Sequence, residues 1–182
     1  MARFPYLNKE DVAPEHRDIM RDINLSRLLA HSPGAARASN TGAMYIRHGS
    51  KLDPRLREMA IIQVGYLARS VYEYAHHVQI GLGVGVSEAD IRAIADDTAG
   101  KPTTLDPLTK AVLKAARELA DEIKLSDETF AVLRRHLDYE KLIDLFIAIC
   151  SYCSTVRLLA ALQIDLEDEY RQYLEKFPLP KA

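Results

Sequence analysis

Apolar side chains recur along this chain mainly at the spacing of an α-helix. In the segment around residues 71–84, Val71, Ala75, Val78 and Leu82 repeat every three or four positions, and a more polar stripe lies beside them. No apolar and polar alternation continues for more than a few residues, so β-strands are not indicated. The pattern therefore predicts an all-α protein.

Capping signals mark where the predicted helices begin and end. Asp53-Pro54 and Asp106-Pro107 each place an N-cap residue before a proline, and residues 87–90 resemble a capping box. Gly85 and Gly100 are expected to end helices. The predicted helices are Pro14–Leu29, Gly34–His48, Pro54–Ala68, Val71–Gly83, Glu88–Asp96, Pro107–Ile123, Asp127–His136, Tyr139–Ile164 and a short one before the Phe177-Pro178-Leu179-Pro180 tail.

The chain also contains a weak internal sequence repeat. Leu52-Asp53-Pro54 opens one long helix and Leu105-Asp106-Pro107 opens another, which predicts two related helical hairpins. Residues 101–104 have the composition of a loop, not of a domain linker. We therefore expect one domain over residues 1–182, with a core at 45–98 and a helical extension at 105–175.

Composition narrows the possible partners. The 182 residues are 48% hydrophobic and carry a formal charge of -2, which fits one soluble domain with a sizeable core. With 24 basic against 26 acidic residues and no basic cluster, no nucleic-acid partner is expected. Neither a secretion signal nor a run of eighteen apolar residues is present, so we expect a cytoplasmic protein that does not enter a membrane.

The candidate chemistry begins with a carboxylate and an imidazole one helical turn apart. Glu73 and His77 are related as i and i+4, so they share a helix face, where the acid can orient the ring for proton transfer. A tight hairpin around residues 69–70 could fold Glu58 back toward this pair. The alternative is that Glu58 pairs with Arg55 or Arg57 on a surface.

A metal site is the less favoured interpretation of this helix. Glu73 and His76 have the Glu-x-x-His spacing of di-iron bundles, but the sequence has no second such motif and no His-Glu-x-x-His pattern. We therefore expect no metal and no cofactor. His76 is expected to be hydrogen-bonded or to face solvent.

Two cysteines and two polar residues lie farther along, in the helix predicted at residues 139–164. Cys150 and Cys153 form a Cys-x-x-Cys that could act as a redox dithiol or as small core residues inside a helix. Tyr152 could donate a hydrogen bond to a substrate oxygen, and Arg157 could bind a carboxylate. Asp144 or Asp165 is the alternative partner for the guanidinium group.

Several of these motifs resemble the carboxymuconolactone decarboxylase family, which includes the alkylhydroperoxidase D-like proteins. The motifs are His31-Ser32-Pro33, the stretch from Leu52 to Glu58, the stretch from Tyr72 to His77, and Gly85-Val86-Ser87. They are similar to the family's Arg-x-x-Glu helix, Tyr-Glu-Trp-x-x-His helix and Gly-Val-Ser turn. Tyr74 stands where tryptophan is usual.

The resemblance implies an alkylhydroperoxidase D-like helical bundle that assembles as a homo-oligomer (dimer, trimer or hexamer), with a pocket near a subunit interface. The peroxidase branch of the family has a Cys-x-x-Cys at the positions of Ser70 and Glu73. A serine and a carboxylate cannot form a disulfide, so that thiol cycle cannot run there. Cys150 and Cys153 lie in a different helix.

The leading hypothesis is cofactor-free acid–base chemistry, a decarboxylation or isomerisation of a small acidic lactone or related acid. His77 would move the proton, Glu73 would orient it, and Glu58 would complete a relay. Arg157 and Tyr152, with Tyr74 and Ser70, form the candidate substrate-binding set. The alternatives are a peroxide-reducing protein that uses Cys150 and Cys153, and a non-catalytic ligand-binding oligomer.

Overall fold

The computed structural model describes residues 1–180, which contain helices and turns and no strand. This confirms the predicted all-α class. Within these residues the α-helices are α1 (Asn24–Leu29), α2 (Pro33–Met44), α3 (Pro54–Leu67), α4 (Val71–Gly83), α5 (Glu88–Thr98), α6 (Pro107–Arg117), α7 (Asp127–His136), α8 (Tyr139–Leu162) and α9 (Arg171–Lys176). Turns of 3₁₀-helix cover Lys9–Asp11, Pro14–Ile19 and Asp168–Tyr170, and turns of π-helix cover Tyr45–Gly49 and Glu118–Glu122.

Most predicted boundaries are confirmed to within a few residues, because the caps act as the sequence indicated. Asp53 accepts hydrogen bonds from two backbone N–H groups at the start of α3, and Asp106 caps α6 through Thr109. Gly85 and Gly100 adopt positive φ angles of 95° and 72° just after α4 and α5. The last predicted residue, Ile164, lies beyond α8, because Gln163 takes a left-handed conformation with φ 52°.

The prediction of one helix over Pro14–Leu29 is wrong. The chain forms a 3₁₀ turn at Pro14–Ile19 and then, after a break, α1. At the break the Ser26 hydroxyl accepts from the backbone N–H of Arg21 and donates to the carbonyl of Ile19. The Ser26 hydroxyl thus satisfies the N–H of Arg21 and the carbonyl of Ile19. In a continuous helix, backbone hydrogen bonds would satisfy these two groups instead.

Helix α3 lies at the centre of the bundle and packs against α4, α6 and α8. One of its sides joins a hydrophobic cluster with α6, α7 and α8. In this cluster Ile61, Val112 and Leu145 are fully buried. Its other side joins a cluster with α4 and α5 around Met59 and Ile62. A helix buried on both sides offers few exposed positions, so its polar residues, including Glu58, are buried with it.

The connection between α3 and α4 is short and tightly defined. Arg69 turns the chain with a left-handed φ of 49°, and the Ser70 hydroxyl caps α4 by accepting from the N–H of Glu73. Gly65 lets the two helices come close, because a Cβ there would lie 3.1 Å from the backbone of Tyr74. The hairpin thus fixes how the polar residues of α3 face those of α4.

Helix α8 is 24 residues long, with a mean hydropathy of 1.9 in its most apolar window, so by length and composition alone it could cross a membrane. It packs on α3 through one of its faces. Its opposite face leaves Tyr139, Ile143 and Ile147 exposed.

Candidate functional site

The α3–α4 hairpin brings Glu58 and Glu73 into contact with opposite nitrogens of the His77 ring. The Nδ1 of His77 lies 2.6 Å from Oε2 of Glu58, and its Nε2 lies 2.9 Å from Oε1 of Glu73. All three side chains are buried. The spacing within α4 places Glu73 one turn before His77, and the tight turn folds α3 back so that Glu58 approaches from the other side.

Glu58 also forms a buried ion pair with Arg57. The Nε of Arg57, a residue only 4% exposed, donates to Oε1 of Glu58 at 2.9 Å, while its Nη1 donates to the carbonyls of Ile46 and Arg47. Glu58 thus meets His77, as the hairpin hypothesis expected, and its pairing with Arg57 is buried and not on a surface as the alternative held. Burial opposes ionisation of Glu58, but the charge and hydrogen bonds of His77 and Arg57 outweigh it and lower the pKa.

His77 is held as an imidazolium. Burial disfavours the charged ring, but Tyr152 and the two carboxylates outweigh it and raise the pKa of His77 well above 6.5. Both ring nitrogens face carboxylate oxygens, so each is satisfied only when it carries a proton. The ring therefore has no free nitrogen with which to abstract a proton from another molecule. Glu73 uses one carboxylate oxygen for His77, and its second oxygen has no hydrogen-bond partner among residues 1–180.

Glu73 and His77 line a cavity of about 430 Å³ between α4, α8 and the N-terminal helices α1 and α2. Tyr152 lies beside them on α8 as predicted, with its ring edge-on to His77 at a centroid distance of 4.7 Å. The size is that of a small-molecule site. The other lining side chains include apolar residues (Ile23, Leu25, Leu29, Ile46, Ile80 and Leu158) and polar ones (Arg21, Asn40, Arg47, Ser151, Ser154 and Thr155).

Two arginines at this cavity were not anticipated from the sequence. Arg47 makes no side-chain hydrogen bond or ion pair within residues 1–180, and the guanidinium of Arg21 contacts only the sulfur of Met44, at 3.2 Å. Arginines that line a cavity without a carboxylate partner can bind an anion. The sequence gave no signal for them, because neither lies in a recognisable motif.

His76, which lines the same cavity, forms a second imidazole–carboxylate pair with Glu167. The Nε2 of His76 lies 2.8 Å from Oε2 of Glu167. The other oxygen of Glu167, Oε1, accepts from the backbone N–H of Asn24 and the hydroxyl of Tyr72. Burial raises the pKa of Glu167, but the hydrogen bonds from His76 and Asn24 outweigh it and lower the pKa. His76 is thus hydrogen-bonded, one of the two environments predicted for it. No cluster that could hold a metal ion is found in residues 1–180.

The structure corrects the expected place of three substrate-binding candidates. Arg157 lies on another side of α8, where it bonds the carbonyl of Cys153 instead of an aspartate. Tyr74 is buried in the hydrophobic cluster of α3, α4 and α5, and Ser70 acts as the α4 cap. None of the three lines the cavity with Glu73. A sequence assigns residues to helices more readily than to helix faces, which is why these positions were misplaced.

The two cysteines are free and also lie apart from the cavity. Cys150 is exposed, whereas Cys153 is buried and lines a different groove, beside Arg157. Burial raises the pKa of Cys153 more than the nearby guanidinium lowers it, which disfavours the reactive thiolate.

Comparison with known proteins finds a family match over part of the chain and several solved structures with a similar fold. Residues 33–118 match the profile of the carboxymuconolactone decarboxylase family. No curated protein matches the sequence. A peroxidase-related protein from Ralstonia eutropha JMP134, described as an alkylhydroperoxidase AhpD core, is similar in structure with a TM-score of 0.80, at 16% identity over 98% of both chains.

Two further solved structures have the same fold. The debrominase Bmp8 in complex with 2,3,4-tribromopyrrole has a TM-score of 0.81 at 18% identity, over 97% of this chain and all of that one (100%). The protein ATU0492 from Agrobacterium tumefaciens, a putative antioxidant defence protein AhpD, has a TM-score of 0.68 at 18% identity, over 77% of this chain and 95% of that chain. These similarities confirm the AhpD-like helical fold.

Proposed function

Because residues 33–118 match the carboxymuconolactone decarboxylase family, we propose that the chain is a cofactor-free enzyme that moves a proton on a small acidic lactone or related acid, by decarboxylation or isomerisation. The observation that carries the proposal is the buried chain of Arg57, Glu58, His77 and Glu73, which ends at a cavity. General acid–base catalysis needs such a positioned proton path.

Glu73 is the group that exchanges a proton with the substrate. Its second oxygen is unpartnered at the cavity, whereas both nitrogens of His77 are engaged. Glu73 takes the Nε2 proton of the His77 imidazolium and passes it to the substrate, which returns Glu73 to a carboxylate and leaves a neutral ring that keeps its Nδ1 proton on Glu58. Arg57 holds Glu58 as a carboxylate, so that end of the chain stays fixed. This assigns proton delivery to Glu73 and the relay to His77.

The chemistry balances without a further reactant. In an unsaturated lactone acid, the bond between the ring carbon and its carboxylate breaks, carbon dioxide leaves, and the electron pair spreads through the C=C bond into the lactone carbonyl. The resulting dienolate takes one proton at carbon, from Glu73. Solvent then returns a proton to His77. A preorganised acid at the wall of the cavity favours this step.

Arg21 and Arg47 are the proposed carboxylate-binding groups, in place of Arg157. Both line the cavity without a carboxylate partner within residues 1–180. A guanidinium can bind a carboxylate through two parallel hydrogen bonds. The apolar side chains of the same walls would contact the ring, and the tribromopyrrole bound to the debrominase Bmp8 supports a small ring as a ligand for this fold.

The test uses carboxymuconolactone as substrate, with product formation followed by ¹H NMR. Glu73→Gln keeps an oxygen that can accept from His77 but has no acidic proton, so we expect its rate to fall by about 10²- to 10⁴-fold. Glu175→Gln is the matched control, because Glu175 is exposed on α9, and its rate should equal that of the wild type.

Three results would contradict the proposal. Full activity of Glu73→Gln would remove the assigned acid. A wild-type protein that reduces peroxides through Cys150 and Cys153 but leaves lactone acids unchanged would establish the redox alternative. Tight binding of a lactone acid with no turnover would indicate a ligand-binding protein.

A further inference from the structure

The imidazole of His76 is fixed so that only one nitrogen can act on a ligand. Its Nε2 lies 2.8 Å from Oε2 of Glu167, and its Nδ1 has no hydrogen-bond partner within residues 1–180. A carboxylate next to Nε2 holds a proton there, which leaves the lone pair of the neutral ring on Nδ1. His76 therefore has the free basic nitrogen that His77 lacks.

Aromatic rings hold His76 in this orientation. Tyr170 stacks on one side with a centroid distance of 3.6 Å and an interplanar angle of 17°, and Tyr72 stacks with 4.3 Å and 24°. Glu167 is itself fixed by the N–H of Asn24 and the hydroxyl of Tyr72. With its faces covered and Nε2 engaged, the ring cannot turn freely, so Nδ1 keeps one direction.

His76 and Glu73 lie close enough to serve one small ligand. They are three residues apart on α4, which makes them neighbours on the helix surface, and both line the 430 Å³ cavity. The charged groups around His76 are Glu73 on its own helix, Glu167, and Arg47 across the cavity. The cavity thus holds an acid supplied by an imidazolium beside a second imidazole whose Nδ1 has no partner within residues 1–180.

We propose that His76 is a second catalytic residue, a general base positioned by Glu167, which the isomerisation named in the proposed function requires. The inference rests on the proposed function, since it assumes the Glu73 relay as the acid. Decarboxylation needs only a proton donor, whereas isomerisation needs a base at one carbon and an acid at another. The pair of His76 and Glu167 supplies this base, which decarboxylation does not use.

The proposed step conserves atoms and electrons. In a lactone that carries hydrogen in place of the departing carboxylate, Nδ1 of His76 removes that hydrogen as a proton. The electron pair of the broken C–H bond spreads through the C=C bond into the lactone carbonyl. Glu73 then protonates the far carbon of the dienolate, which moves the double bond. Exchange with solvent afterwards returns His76 and His77 to their starting states.

The experiment compares two substrates that differ at that one carbon. Carboxymuconolactone loses carbon dioxide there, and muconolactone, its analogue with hydrogen, can only shift a proton. His76→Gln keeps an N–H for Glu167 but has no base. We expect it to lower the isomerisation rate by about 10²- to 10⁴-fold. Its effect on decarboxylation should be at least tenfold smaller, and the exposed His136→Gln is the control.

A substrate-free measurement separates the two proposals. In ¹⁵N NMR spectra, the neutral form of His76 should carry its proton on Nε2, and both ring nitrogens of His77 should be protonated. A proton on Nδ1 of His76, or equal losses of both rates in His76→Gln, would overturn this inference while leaving the Glu73 relay intact. A wild type that turns over neither lactone would instead refute the proposed function. The ¹⁵N spectrum would still show whether the His76 ring carries its proton on Nε2.

Discussion

Replacing Glu58 by glutamine should destabilise the protein strongly, because it removes one member of a buried ion pair. The side chains of Arg57 and Glu58 are 4% and 2% exposed, so water cannot compensate either charge. Arg57 and His77 both donate to Glu58, whereas a glutamine offers one carbonyl oxygen and turns an NH₂ group toward one of these donors. Breaking a buried pair in this way costs about 3–5 kcal/mol.

The assay is guanidinium unfolding at pH 7 together with the thermal midpoint. For a chain of this size, about 2–4 °C is lost per kcal/mol, so the midpoint should fall by roughly 6–20 °C. Arg57→Met combined with Glu58→Gln should cost less than the sum of the two single changes, because the double variant leaves no unpaired guanidinium. Glu175→Gln should stay within about 0.5 kcal/mol of the wild type. A loss below about 1 kcal/mol for Glu58→Gln would refute the reasoning.

Three further changes test the hairpin, the imidazolium and the exposed face of α8. Gly65→Ala should cost about 1–3 kcal/mol in unfolding measurements, because its Cβ meets the α4 backbone, whereas Gly42→Ala, which meets nothing within 4 Å, should be neutral or stabilising. The raised pKa of His77 adds stability that is complete below about pH 6.5 and is lost as pH rises through the folded-state value. The difference in unfolding free energy between wild type and His77→Gln should therefore shrink from pH 6 to pH 9. We propose that a homo-oligomer forms through α8, where Ile143 and Ile147 are 56% and 42% exposed. The double variant Ile143→Glu with Ile147→Glu should therefore lower the molecular mass measured by light scattering. An unchanged mass would contradict this proposal.

The sequence predicted the helices and the hairpin because their signals are local. The Asp53-Pro54 cap and the i, i+4 spacing of Glu73 and His77 each depend on a few neighbouring residues. The same local spacing could not show that Glu58 and Arg57 are both buried, since that depends on helices packed around α3.

Long-range pairs explain most of what the sequence did not reveal. Glu167 reaches His76 from beyond α8, and no spacing rule connects residues so far apart. Arg47 was missed for a similar reason, because its role depends on which surfaces enclose the cavity. Arg157 shows the opposite error, in which a plausible residue type lies on the wrong side of the correct helix.

The proton-moving groups and the cavity walls have separate origins in the chain. Arg57, Glu58, Glu73 and His77 all come from one continuous hairpin, α3–α4, whereas the facing walls come from α1, α2 and α8. Substitutions in those walls can therefore change which molecule is accepted without moving the relay. For an engineer, this makes Leu29, Asn40 and Leu158 safer positions for altering selectivity than any residue of the hairpin.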